Sequence, residues 1–362
     1  LSLDQSYLLA LHAIPGMRGR FLRRLMEHYG NAQAAWENAG EWPQVLEENG
    51  LTVHNSCRTV VPEMVYEKFL ASGVKLLTLA DETYPEALRH IYDPPYLLFY
   101  QGELPAESVL HLAVVGTRNA SRYGKDAAHW LAEGLARQGA VIVSGMARGI
   151  DSAAHQGALA GEGKTIAVLG SGVDVCYPKE NASLYRQIRE SGAIVSEFPL
   201  GTPPLSGNFP VRNRIISGLA AGIVVVESGE KSGAGITVNY GLEQGKEIFA
   251  VPGPIFNPAS VGPHNMLKEG QAYLVTEPRD ILKHFDPNQN RLMQDGCVME
   301  PIKLLYSPEE EELRRLLVTP MHFDRLAQEL NLAPEELAPK ILLWLMSGII
   351  QELPGKYYIN VC

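Results

Sequence analysis

Cysteine is scarce in this chain: four residues in 362, Cys57, Cys176, Cys297 and Cys362, with no CxxC pair among them. That spacing excludes a zinc ribbon or a disulfide framework, and the thiols read as reduced ones in a cytosol. Long hydrophobic runs are missing too. The longest apolar stretch, residues 219–226, is far shorter than the roughly 20 residues of a membrane-spanning helix, so no membrane insertion is expected. The opening LSLDQSYLLALHAIPG has no basic start, long apolar core or small-residue cleavage site, and does not read as a secretory signal. The expected location is cytoplasmic. Positive charge is in deficit, with 31 Lys and Arg against 41 Asp and Glu and a formal net charge of −10. A broadly basic protein that coats DNA is therefore excluded. The deficit sits at the two ends. Residues 1–110 carry 8 basic and 14 acidic side chains, residues 287–362 carry 7 and 11, and residues 111–286 carry 16 of each. A local basic cleft fits only the balanced middle.

Hydrophobic residues make up 46% and charged ones 20%, the composition of a folded globular protein with room for two or three domains. Residues 1–75 read as a small helical domain, with apolar positions at Leu8, Leu9, Leu11 and Ile14 and again at Phe21, Leu22 and Leu25. Between these runs lies IPGMRG, residues 14–19, the pattern of a helix-hairpin-helix. Its turn amides can hold a phosphate, or the turn can simply serve packing. The Pro- and Tyr-rich segment 76–110 reads as a connector with short extended pieces. From 111 to 286, β-branched runs (HLAVVG, AVIVSG, KTIAVLG, AIVSEF, GIVVVE, EIFAVPG) alternate with helical stretches. This is an α/β pattern: a Rossmann-like, doubly wound, mostly parallel sheet buried on both faces. A polar linker at 287–300 leads to 301–362, where three short helical patterns and a two-strand ending have the order of a winged-helix-like domain. Its recognition-helix candidate, 334–347, carries one basic residue, Lys340.

Ligands of doubly wound sheets sit at the carboxyl ends of the strands. The first strand ends in VVGTRNASRYG, where Gly116 permits close backbone approach, Arg118 projects from the loop and Ser121 stands beside it. The second ends in VSGMARGIDSAAHQGAL: Ser144 and Gly145 close the strand, Arg148 and Gly149 form the loop, and Asp151 or Ser152 is placed to cap the next helix. Two Arg-bearing loops, each before a helix N-terminus, favour phosphate binding over turns whose arginines pair with surface acids. In GNFPVRNRIISGL, Phe209 lies beside Arg212, Asn213 and Arg214. A base can stack on such a ring while phosphates meet the guanidinium groups, although Phe-Pro-x-Arg also suits a packed corner. In EKSGAGITVNYGLEQGKEIFAVPG, Ser232, Gly233, Gly235 and Thr237 precede a helix as a further amide nest. No P-loop and no GxGxxG after the first strand are present, so ATP hydrolysis, ordinary NAD binding and any cofactor are not expected. His155 has no Ser or Cys elbow as partner, HExxH is absent, and the ten His show no metal-ligand spacing. Glu227 and Glu243 read as helix caps or partners of Lys231 and Lys246. Neither a catalytic residue nor a metal site is expected.

Taken together, VVGTRNASRYG, VSGMARGIDSAAHQGAL, NFPVRNRIISGL, SGAGITVNYGLEQGKEIFAVPG and NPASVGPHNMLKEGQAYLVTEPRDIL resemble the DprA/Smf family of DNA-processing proteins. The resemblance spans about 5–360 and is strongest over 111–283, where five motifs fall in family order. It implies a non-enzymatic homodimer that binds and protects incoming single-stranded DNA in natural transformation and helps load the recombinase RecA. It would place the DNA pocket on Gly116, Arg118, Ser144, Gly145, Gly149, Phe209, Arg212, Asn213, Arg214, Ser232 and Gly233. Two departures stand out: SGAGIT replaces the commoner SGSLIT, and the recognition-helix candidate is poor in basic residues. The competing reading is a Rossmann-like phosphoribohydrolase acting on nucleoside monophosphates. Such enzymes carry PGGxGTxxE, and the matching SGAGITVNYG lacks both the Pro-Gly-Gly and the Glu.

Overall fold

The computed structural model describes residues 3–17, 19–46, 50–230, 232–285, 312–313, 315–346 and 349–360. The chain divides into two compact units, Leu1–Arg291 and Leu292–Cys362. The linker expected at 287–300, Arg18 of the IPGMRG turn, Lys231, Ser347 and the start of the first C-terminal helical pattern lie outside the described residues.

A nine-stranded sheet carries the first unit. Its strands are β1 (Lys75–Thr78), β2 (Leu97–Gly102), β3 (His111–Val115), β4 (Val141–Ser144), β5 (Thr165–Val168), β6 (Ala193–Ser196), β7 (Gly222–Val225), β8 (Glu247–Ala250) and β9 (Tyr273–Leu274). They run in the order β1-β2-β6-β5-β4-β3-β7-β8-β9. From β6 to β9 every pairing is parallel, while β2 and β1 close one edge antiparallel. The four-residue strands VIVS, TIAV, AIVS and GIVV are buried throughout, as a sheet covered on both faces requires. This is the expected doubly wound, Rossmann-like fold. The order proceeds outward from β3 on one side and from β7 on the other, so the crevice between successive loops opens at the carboxyl ends of β3 and β7.

Among the described residues, α1 (Leu3–Ala13), α2 (Gly19–Tyr29), α3 (Ala32–Glu37), α4 (Trp42–Val45), α5 (Gly50–Cys57) and α6 (Pro62–Ser72) precede the sheet. They share a core with it, for Leu11, Leu25 and Trp42 cluster with Phe99 of β2 and Leu169 after β5. Segment 76–110 does more than connect. Leu97, Leu98 and Phe99 are buried and place β2 in the sheet, and α7 (Glu86–Arg89) lies between β1 and β2. Helices α8 (Arg122–Arg137), α9 (Ile150–Ala160), α10 (Ala182–Ser191), α11 (Asn208–Leu219), α12 (Gly233–Glu243), α13 (Val261–Lys268) and α14 (Pro278–Phe285) alternate with the later strands. Ile215 and Ile216 of α11 and Val238 of α12 pack on the face presenting Val115, Val143 and Val168. Leu184 and Ile188 of α10 cover Ala167 and Ile194 on the other.

In the second unit β10 (Met321–His322), β11 (Ile350–Leu353) and β12 (Tyr357–Asn360) form a small antiparallel sheet, order β10-β12-β11, accompanied by helical residues at 312–313 and 315–316, α15 (Phe323–Glu329) and α16 (Pro334–Met346). Leu326, Leu337, Ile341, Trp344 and Tyr358 make its core. The recognition-helix candidate α16 has Glu335 and Glu336 in its first turn and exposes Leu342 and Leu343. Those carboxylates would repel a phosphate at the end that reads a groove.

Helices α8 and α9 meet at backbone distance. A Cβ on Gly157 would stand 2.1 Å from the His129 carbonyl oxygen. In a free helix Gly→Ala is favourable by about 1 kcal/mol. Here overpacking should reverse the sign, so Gly157→Ala should destabilise the protein by about 1–3 kcal/mol, read as a lower urea midpoint. A raised midpoint would contradict this packing.

Candidate functional site

Most of the sequence-selected residues lie at the carboxyl edge of β3, β4 and β5, with Ser232 and Gly233 beyond β7. Gly116 follows β3 with no room for a side chain, because a Cβ there would lie 2.5 Å from Ile150 Cγ1. This leads the chain to Arg118, which is exposed and sets its guanidinium 4.9 Å from the centre of the Phe209 ring. Phe209, in the first turn of α11, lies half-buried over the backbone of Gly170, where a Cβ would meet ring carbon Cδ1 at 2.9 Å. Tyr177 stands 5.7 Å from the same ring and is 40% exposed. An aromatic ring with an exposed, displaceable cation over its face and a second ring beside it is the physical basis of a base-stacking platform.

Arg212 has a different place from the one its sequence neighbours imply. It is buried, and its Nη1 donates to the carbonyl of Gly145 (2.8 Å) and to that of Val168. Burial pulls its pKa down to about 10, against the opposing pull of Asp151. Gly145 must lack a side chain because a Cβ would sit 2.5 Å from Arg212 Nη1. Ser144 is likewise internal and donates to the Val114 carbonyl (2.7 Å). Gly149 adopts φ 77°, and a Cβ there would meet the Thr117 carbonyl at 2.4 Å, so this turn admits glycine on both counts. Arg148 is exposed and paired with Glu180, a partner no sequence pattern pointed to.

Arg214 is not part of this group. It lies about 200° around α11 from Arg212, where its Nη1 and Nη2 grip both oxygens of Glu197 (2.7 Å for Nη2) and its Nε donates to the Asp93 carbonyl (2.8 Å). Both members of the Arg214–Glu197 pair are buried. It is a structural clamp, bonded to Glu197 and to the Asp93 carbonyl. Asn213 donates to the Gly233 carbonyl (3.2 Å) and so ties α11 to the start of α12.

Three helix N-termini point to this edge, and they differ. At α8 the seat is taken: the buried Glu227 carboxylate accepts from the Ser121 amide (2.8 Å) and hydroxyl, and Ser121 Oγ in turn caps the Gly124 amide (3.0 Å). Glu227 also accepts from Asn257 Nδ2 (3.2 Å), so its carboxylate joins two loops. At α9, Asp151 accepts from the Ala147 amide (3.3 Å). At α12, Ser232 bonds to Ser228, the first turn has no acidic residue, and Gly233 and Gly235 face open space. An anion can therefore be seated by amides at α12, with Arg118 and the Phe209 ring supplying charge and stacking. His155 is buried and bonded to Thr165 (2.7 Å), a core histidine. Among the described residues no group of His, Cys, Asp and Glu could hold a metal ion, and no helix is long and apolar enough to cross a membrane.

The family model of DNA recombination-mediator protein A matches residues 75–286. The chain is 40% identical to Protein Smf of Escherichia coli K12 over 329 residues, 86% of either protein. It is 44% identical to DNA processing protein DprA of Streptococcus pneumoniae over 209 residues, 58% of this chain and 73% of that one. The solved structure of DprA from Streptococcus pneumoniae superposes with a TM-score of 0.67 at 35% identity, covering 78% of this chain and 97% of that one. DNA processing protein A from Helicobacter pylori, whose structure is described for its mode of binding single-stranded DNA, gives a TM-score of 0.54 at 29% identity, covering 59% and 95%.

Asp151 offers a test of the floor of this site. Burial raises its pKa from 3.8 to about 6, against the pull of Arg212. The folded state therefore holds its proton longer than the unfolded state does. Its contribution to stability is fully present below about pH 4 and is lost as pH rises through about 6. Relative to Asp151→Asn, the wild-type stability should fall by about 2–3 kcal/mol across that window in denaturant titrations. A difference that grows with pH would mean that Arg212 outweighs burial.

Proposed function

The chain belongs to the DNA recombination-mediator protein A family, and from that premise we propose that it binds single-stranded DNA at the carboxyl edge of β3, β4 and β5. The observation that carries this reading is the half-buried Phe209 ring with the exposed Arg118 guanidinium 4.9 Å from its centre. Arg118 swings from the ring to the adjoining phosphate, a base takes its place on the exposed face, and the N-terminus of α12, which has no acidic residue in its first turn, faces a second anion. A duplex has no free base faces to offer, so the site favours unpaired strands. The Helicobacter pylori relative, which binds single-stranded DNA, supports the same ligand. In this reading the protein works by holding DNA, without covalent chemistry. The SGAGITVNYG stretch contains no acidic residue to act on a glycosidic bond, and His155 is internal. Protection of incoming strands in natural transformation, help in loading RecA, a homodimeric state and a cytoplasmic location complete the proposal, on the strength of the family relationship.

Two substitutions separate charge from stacking. Arg118→Glu should weaken single-strand binding at least tenfold, about 1.5–3 kcal/mol for a lost charged hydrogen bond with added repulsion. Phe209→Ala should cost about 1–3 kcal/mol of binding while leaving the slope of log K against log salt unchanged, because no phosphate-neutralising charge is removed. Melting curves establish that both variants are folded. Wild-type affinity in a folded Phe209→Ala protein would remove the stacking platform.

A further inference from the structure

The far side of α11 carries a second feature, which the stacking site leaves unused. A cavity of about 1100 Å³ lies between the α1–α2 turn and the α11–α12 pair. It starts one residue from the ring: Asn208 lines it and also donates to the Gly170 carbonyl, under Phe209 (3.0 Å). Arg20 and Arg23, from the first turns of α2, line the opposite wall. That helix is eleven residues long with no acidic residue in its first turn, so the positive end of its dipole adds to this wall. Of the lining carboxylates, Asp93 and Glu197 are held by Arg214, which leaves Glu243 as the one not so neutralised among the described residues.

Three buried polar atoms of lining residues lack a hydrogen-bond partner among the described residues: His12 Nδ1, Arg23 Nε and Gln244 Oε1. His12 is 7% exposed, and its Nε2 donates to the Glu197 carbonyl (2.6 Å). Burial holds its pKa down at about 4, so the ring is neutral and Nδ1 is a bare acceptor. Guanidinium groups and helix amides suit a phosphodiester, while a neutral imidazole and an amide oxygen suit the N–H donors of a base edge. An apolar protein segment would satisfy none of these groups.

We infer that this cavity is a second subsite for the same strand, which passes from Phe209 over the N-terminus of α11 and places its next phosphates against Arg20 and Arg23. The inference rests on the single-strand reading above, and strand length tells the two apart. The full chain is titrated with oligothymidylates of about six and about twenty nucleotides, within and beyond the usual single-site span. Arg20→Glu/Arg23→Glu should lower affinity for the long strand at least tenfold and flatten its salt slope by about 1.4, the value for two single-strand phosphates. Affinity for the short strand should stay unchanged, whereas Arg118→Glu should weaken both. Arg23 also donates to the Pro94 carbonyl (3.3 Å), so Arg20→Glu alone, at an exposed side chain, is the variant that spares the fold. It should lose at least threefold on the long strand only. Unchanged long-strand affinity in folded Arg20→Glu, or equal losses at both lengths, would overturn the second subsite and leave the Phe209 site standing. A wild type that binds neither length would remove the single-strand reading and the subsite with it.

Discussion

A single buried guanidinium sets the geometry of the carboxyl edge. Arg212 reaches from α11 across the ends of β4 and β5 and binds their terminal carbonyls at Gly145 and Val168. A charge at 3% exposure is tolerated only where hydrogen bonds and an opposite charge offset its desolvation, and Asp151 supplies that charge. The arginine thus fixes where α11 lies, and with it the ring of Phe209 one turn earlier. The missing side chains at Gly145 and Gly170 are the other half of this contact: one lets the guanidinium lie on the backbone, the other lets the ring do so.

Glu227 fixes the neighbouring loops in the same manner. Its carboxylate joins the loop after β3, through Ser121, to the loop after β8, through Asn257, while its own carbonyl accepts from the Thr117 amide (2.7 Å). Gly124 leaves the space the carboxylate fills, since a Cβ there would lie 2.2 Å from Oε2. With Arg212 below and Glu227 beside it, Arg118 projects from a rigid base. Its exposed side chain rests over the Phe209 ring and can leave it for a ligand, while its Cα is fixed. On the proposed function, this division suits a strand of varied base sequence.

The sheet was legible because fully buried strands read as continuous β-branched runs, and VIVS, TIAV and GIVV leave no helical alternative of useful length. The strands β1 and β2 were not, because Pro94, Pro95 and the tyrosines around them mask a short pairing stretch. Loop glycines and Arg118 stood out by position. The roles of Arg212 and Arg214 did not, since residues two apart on a helix face nearly opposite ways and the sequence does not say which way is outward. Glu227, Glu180 and Tyr177 reach the site from segments distant in sequence, and no local pattern links them to Ser121, Arg148 and Phe209.

The central claim is that this edge holds an unpaired strand by stacking and a few focused charges. Equilibrium binding of single- and double-stranded DNA of equal length, measured over a salt series, tests it most directly. The structure predicts a clear preference for the single strand and a modest salt slope, about −0.7 for each phosphate contacted. Equal affinity for the duplex, or a slope near the steep values of proteins that coat DNA with charge, would contradict it.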